Sequence, residues 1–332
     1  MNESVSKQPL PTMAELKPLL APYTRARTAT AIWEMINTLI PYAALWYLMY
    51  LSLKVSYFLT LGLAVIAALF LTRIFIFFHD CGHNSFFPST QVNRIVGFFL
   101  GILVLTPSEH WWHAHAIHHA TSGNLDKRGT GDVTTMTVDE YQAASPLGKL
   151  GYRLFRFPLI MFGLGPIYMF VINHRLPFPL FSRKETLNVL LADLALIAYG
   201  AGISALIGFW NFVLIQLPVI WIGGAFGIWM FYVQHQFSDA YWAPSKEWNY
   251  VASALRGASY YKLPRIFQWF SGNIGFHQIH HLSPRVPEYN LESCYLQTPL
   301  IQENTRVIDF KESLQTTRLR LLDVRNQRMI TF

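Results

Sequence analysis

The chain has 332 residues, 52% hydrophobic and 15% aromatic but only 14% charged, which argues against a water-soluble globular domain and for lipid as the solvent. Its net charge of +7 lies mainly in the ends and connections, a distribution that points to an anionic membrane surface and acidic proteins as partners rather than nucleic acid. Two cysteines, Cys81 and Cys294, make neither a CxxC site nor a disulfide framework, so a reducing cytosolic face is expected.

The first thirty residues contain Pro9, Pro11, Pro18 and Pro22 and no compact apolar core before a small-residue cleavage site. They read as a cytoplasmic N-terminal segment, 1–30, without a cleavable signal peptide. A helix needs about 20 residues to cross a hydrocarbon core. Four stretches are long and apolar enough, at about 31–53, 55–78, 186–209 and 212–233. Lys54 alone separates the first two, and Trp210 and Asn211 join the last two, so two hairpins are expected. Lys17, Arg25 and Arg27 precede the first span and Arg183 and Lys184 the third, which by the positive-inside rule makes both termini and the middle segment cytoplasmic. The stretch 95–105 is too short to span, and 154–172 is broken by Pro158, Gly163, Gly165 and Pro166; both read as interfacial or half-inserted.

The expected fold is thus an all-α, multi-pass integral membrane protein. Its four transmembrane helices form two hairpins under a helical cytoplasmic cap, built from 108–153 and 234–332, that holds a dimetal site. A membrane domain with its cap covers 31–295, and 296–332 is a basic cytoplasmic segment carrying Lys311, Arg318, Arg320, Arg325 and Arg328.

The second span ends in His79-Asp80-Cys81-Gly82-His83, two imidazoles four residues apart on one helical face. Next come His115-Ala116-Ile117-His118-His119 and His277-Gln278-Ile279-His280-His281, the same HxxHH spacing twice. Positions i, i+3 and i+4 share a face, so each triplet can offer three imidazoles to one small volume. His235 follows the fourth span as His79 follows the second, and the expected topology brings all of these out on one side. Histidines beside apolar segments are costly to leave unsatisfied. Eight from the boxes plus His235 make nine, too many for one ion and suited to two metals with positions open for oxygen. Imidazole suits zinc, copper, iron and nickel; two such sites beside an apolar pocket favour iron and dioxygen acting on a hydrocarbon chain. His110, His113 and His174 fall outside the set. Metal-bound imidazoles usually hand their other N–H to a carboxylate or carbonyl. Candidates for that supporting role are Asp80, Asn124, Asp126, Asp132, Asp239 and Asn273, each equally suited to an ordinary turn or cap. Gly272 and Gly275 bracket Asn273, where a close backbone approach is expected.

The boxes HDCGH, HAIHH and HQIHH, with hairpins between them, resemble the membrane fatty acid desaturases from the first span through Tyr295. The strings 79–87 and 272–276 look like the bacterial and plant Delta-12 or omega-type branch, and 123–129 is similar to its bacterial members. The resemblance implies two iron ions bound by His79, His83, His115, His118, His119, His235, His277, His280 and His281. It further implies dioxygen as co-substrate, a fatty acyl substrate linked to lipid, coenzyme A or carrier protein, and a new cis double bond. No fused cytochrome or ferredoxin segment is found, and neither is a GxGxxG fingerprint, so electrons are expected from a separate ferredoxin, rubredoxin or cytochrome b5. Acetylenases, hydroxylases and alkene-forming decarboxylases share these boxes. A histidine-rich metal transporter or sensor is the reading from another class; it would place ionisable groups mid-span, where only Glu34, Arg73 and Asp193 occur, the first two near span ends.

Overall fold

The computed structural model describes residues 9–176 and 182–332; the first eight residues of the N-terminal segment lie outside it. A short helix α1 (Met13–Leu20), opened by a Thr12–Glu15 capping box, leads into α2 (Thr28–Ser52) and α3 (Tyr57–Gly82). These two helices pack as a hairpin, and Ser52 Oγ meets Thr60 Oγ1 at 2.8 Å beside its turn. Next come α4 (Thr90–Leu103) and α5 (Ser108–Thr121), joined through Pro107 and bent by 101°. Helices α6 (Val138–Ala143) and α7 (Pro146–Phe155) lead to 159–172, where Gly163, Gly165 and Pro166 interrupt the normal ladder. That stretch is wound as π-helix on either side of a single α-turn, α8 (Gly165–Ile167).

The second hairpin is α9 (Arg183–Ile207) and α10 (Phe209–His235). Its break falls at Gly208, not at Trp210 and Asn211 as expected from sequence. Gly208 adopts φ +92°, which costs a residue without Cβ little, and Asn211 Nδ2 donates to the Ile207 carbonyl at 2.7 Å, so Trp210 and Asn211 start the next helix. Helices α3 and α10 pack closely: a Cβ on Gly223 would lie 3.2 Å from the Ala68 carbonyl oxygen. The rest of the chain adds α11 (Tyr250–Arg256), α12 (Arg265–Phe270), α13 (His277–Leu282), α14 (Glu288–Leu296), α15 (Pro299–Glu303) and α16 (Phe310–Thr316).

Each of the four apolar stretches is one helix. By length and composition α3, α9 and α10 can cross a membrane, and the count reaches five if each of two bent pairs is one span. The pairs are α4 with α5, and α7 with the segment that follows it, bent by 60°. Helix α2 has 25 residues but carries Glu34, Asn37 and Thr38 and does not join them on hydropathy.

The chain is mostly helical, but the segments expected to form a helical cap, 108–153 and 234–332, are not helical throughout. Strands β1 (Met136–Thr137), β4 (Leu321–Asp323) and β5 (Arg328–Ile330) form one small sheet, and β2 (Tyr260–Tyr261) pairs with β3 (Val307–Ile308). Runs of two or three residues carry no readable alternation, so sequence patterning does not reveal them. Both sheets tie the last forty residues to earlier parts of the chain: β4 lies parallel to β1, and β3 parallel to β2.

Candidate metal centre

Nine histidines converge where α3, α5, α10 and α13 meet, and they sort into two groups. His79, His83, His115, His119 and His280 form one; His118, His235, His277 and His281 form the other. Within each group the offered ligand atoms lie within 4.8 Å of one another, and all the rings are buried except the partly exposed His83.

The sorting differs from the expectation that each HxxHH triplet serves one volume. In each triplet the i and i+4 rings go to one group and the middle ring to the other: His115 and His119 join the first while His118 joins the second. Around α13 the assignment is reversed, with His280 in the first group and His277 and His281 in the second. Both helices therefore lie between the groups and serve each with a different edge of one face. The groups are neighbours, since the rings of His119 and His281 stack at 4.3 Å.

The nitrogens that converge are Nε2 atoms. His79 and His280 approach to 2.9 Å, His115 and His119 to 3.1 Å, His118 and His235 to 3.3 Å, His235 and His277 to 2.9 Å, and His277 and His281 to 3.2 Å. The Nε2 of His83 is buried without a hydrogen-bond partner among the described residues. Two neutral imidazoles whose bare nitrogens face each other gain nothing unless a cation lies between them. Donors bound about 2.1 Å from one ion stand roughly 3 Å apart, the spacing seen here.

The opposite ring edges are tied in the manner of metal ligands. His79 Nδ1 meets Asp80 Oδ1 at 2.9 Å, His118 Nδ1 meets Asp132 Oδ1 at 2.5 Å, and His235 Nδ1 meets the Gly257 carbonyl at 3.2 Å. Such partners hold the proton on Nδ1 and leave Nε2 free. In α13, burial first and neighbouring imidazoles second hold His277, His280 and His281 well below the ordinary histidine range, so they are neutral and able to bind metal.

Of the six supporting residues expected, Asp80 and Asp132 touch a histidine of the set. The other four are otherwise engaged. Asn124 accepts from the Asp126 amide and Ser245 hydroxyl, Asp126 accepts from the Ser245 amide at 2.8 Å, and Asp239 pairs with Arg306 at the surface. Asn273 takes φ +51° beside Gly272 at φ +52° and donates to the Glu288 carbonyl. A Cβ on Gly272 would sit 2.8 Å from Ile76 Cγ2, so the tight turn before α13 requires glycine there. His113 pairs with Glu185 and His174 meets Thr106 Oγ1 at 3.4 Å; with His110 they stay outside both groups.

Three features were missed from the sequence: the Gly257 carbonyl, Trp111 stacked on His115 at 4.6 Å, and the Tyr250 hydroxyl donating to the His281 carbonyl at 2.6 Å. The Gly257 and Tyr250 contacts depend on chain crossings, whereas Trp111 stands four residues before His115 on α5, a spacing that could have shown it.

The family model described as fatty acid desaturase matches residues 56–304, a span that holds all nine histidines. A fatty acid desaturase of Bacillus subtilis is 49% identical over 319 residues, covering 96% of this chain and 90% of that protein. The sn-1 oleoyl-lipid 12-desaturase of Synechocystis is 28% identical over 68% of this chain and 64% of its own length. The Delta(12) fatty acid dehydrogenase of Crepis alpina is 27% identical over 88% of this chain and 83% of its own length. Long apolar helices, two converging histidine groups and these matches lead to one conclusion: the chain belongs to the fatty acid desaturase family, whose members are membrane oxidoreductases.

Proposed function

We propose that the chain is a dioxygen-dependent acyl desaturase that binds one iron ion in each histidine group and introduces a double bond into a membrane acyl chain. The observation that carries this reading is the convergence of nine Nε2 donors in groups of five and four at the C-terminal ends of α3 and α10, helices long enough to span a bilayer. When bound, the two irons supply the oxygen chemistry that removes one hydrogen from each of two adjacent methylenes. The overall balance consumes dioxygen, two electrons and two protons and releases two waters.

The residues do the holding. Asp80 and Asp132 keep protons on the Nδ1 atoms of His79 and His118, presenting Nε2 to the metal. Burial of the rings excludes bulk water, so reactive species meet the substrate rather than solvent. No side chain acts as nucleophile; the protein positions the chain and the ions. Both cysteines are buried and free, Cys81 on α3 and Cys294 on α14, and neither joins a histidine group, which supports delivery of electrons by a separate ferredoxin, rubredoxin or cytochrome b5.

The membrane reading is α2, α3, α9 and α10 as four spans in two hairpins. The positive charges before α2 and α9 support a cytoplasmic cap and cytoplasmic termini in a bacterial inner membrane. This arrangement keeps the ends of α3 and α10, and so His79 and His235, on one side.

The test is expression in a host lacking desaturases, followed by mass spectrometry of membrane lipids and iron analysis of the purified chain. About two irons and a new internal double bond are expected. About one zinc, or no metal, refutes the dimetal reading; terminal alkynes, terminal alkenes or hydroxylated chains would replace desaturation with another outcome at the same centre.

A further inference from the structure

Arg73 is a full charge inside a membrane-spanning helix, 2% exposed, six residues before His79. Six residues are about 9 Å along a helix axis, so the charge lies on the membrane side of the metal centre. Ionisable groups at such depth are kept for function and find named partners. Arg73 pairs with Glu34 of α2 and donates to the carbonyl of Trp269 in α12. Its guanidinium stacks over the Trp269 ring at 4.3 Å and the Phe77 ring at 5.2 Å. A third group approaches: the carboxyl of Glu288, wholly buried at the start of α14, lies 3.7 Å from Arg73 Nη2. Among the described residues neither Glu288 side-chain oxygen has a hydrogen-bond partner, and Arg73 is the cation that faces it.

The main chain of Glu288 has a different partner. Its N–H donates to Asp80 Oδ2 at 2.7 Å, and the other oxygen of Asp80 holds His79 Nδ1 at 2.9 Å. A continuous run of contacts therefore leads from the spans through the cap and back to a histidine of the five-membered group. Asp80 alone could rotate about its own side chain; the Glu288 amide holds it, and Glu288 is in turn held by Asn273 at its carbonyl and faced by the Arg73 charge 3.7 Å from its carboxyl. A planar guanidinium meets Glu34 and the Trp269 carbonyl from separate nitrogens and faces Glu288 with the same fork, a geometry that the single nitrogen of a lysine does not reproduce.

We propose that Arg73 is a positioning residue of the five-histidine group, acting through Glu288 and Asp80 to orient the His79 imidazole. This rests on the metal reading above. The two fail differently: a chain that binds no metal sinks that reading, whereas metal bound without the coupling described next sinks only this one.

The experiment titrates the detergent-solubilised full chain with cobalt(II) and follows the ligand-field absorption. Asp80→Asn and Asp132→Asn assign the bands of the five- and four-histidine groups. Arg73→Met is expected to weaken cobalt binding at the five-histidine group about tenfold, the lower end for loss of an outer partner, and to leave the other group unchanged. In the Asp80→Asn background the same substitution should have no further effect, because the run of contacts is already cut. Arg73→Lys should recover thermal stability more than it recovers the cobalt spectrum. If Arg73→Met leaves Glu34 unpaired and the chain fails to fold, Arg73→Met/Glu34→Gln removes both charges and carries the same expectation. A lower melting temperature with unaltered cobalt affinity and spectrum overturns the proposal, as does an equal loss at both groups.

Discussion

The crossed sorting of the two HxxHH boxes makes a prediction that box-by-box reasoning does not. His118→Ala removes one donor from a group of four and leaves three; His115→Ala removes one from a group of five and leaves four. Losing even an outer partner of a ligand costs about 10- to 100-fold in metal affinity, or about 1.4–2.7 kcal/mol, and a direct donor costs more. At one iron concentration, His118→Ala should retain about one iron per chain and His115→Ala close to two. Pairing sharpens the contrast, since His118→Ala with His235→Ala strikes one group and should lose little more iron than His118→Ala alone. His118→Ala with His115→Ala strikes both, and the losses should add. Metal content by mass spectrometry after equilibrium dialysis is the assay, with folding checked by thermal denaturation in detergent. Equal iron loss in the two single variants, or strict additivity of His118→Ala with His235→Ala, would refute the grouping.

Further expectations follow from the surroundings of the centre. Asp132→Asn should lower iron affinity of the four-histidine group about 10- to 100-fold and spare the other, as read by iron titration; an effect on both would contradict the single contact to His118. Gly272→Ala should cost about 1–3 kcal/mol, because it demands φ +52° of a residue with Cβ and pushes that atom into Ile76, so an unchanged unfolding midpoint would show that the turn relaxes freely. Burial raises the Glu288 carboxyl to about 8, against the pull of Arg73 and with the help of Glu34 and Asp80. With the folded value above the ordinary one, its stabilising contribution is complete below about pH 4.5 and is lost as pH rises through about 8. The unaltered chain should therefore lose thermal stability across that window relative to Glu288→Gln; parallel pH profiles would count against a neutral buried acid.

The sequence by itself determined the class of molecule and the identity of the nine convergent histidines. Long apolar runs leave few folds in lipid, and the i, i+3, i+4 spacing is a local property of one helix that needs no knowledge of its neighbours. His235 was legible for a related reason: it ends an apolar helix as His79 does. What the sequence left open is how faces are shared between elements. Whether His118 sits with His115 or with His235 depends on where α10 and α13 approach α5, and only their packing decides it. The same holds in part for Asp80 and Asp132 against Asn124, Asp126, Asp239 and Asn273: all six are short polar residues near a box or a span end, yet Asp80 meets the imidazole beside it in the chain and Asp132 reaches His118 only through the fold of the segment after α5. Arg73 and Glu34 were visible as rare charges in apolar helices, but Glu288, 215 residues further on from Arg73, carried no signal of its own. Long-range contacts of this kind join residues whose spacing in the chain carries no period, so the tertiary structure alone links them to the metal centre.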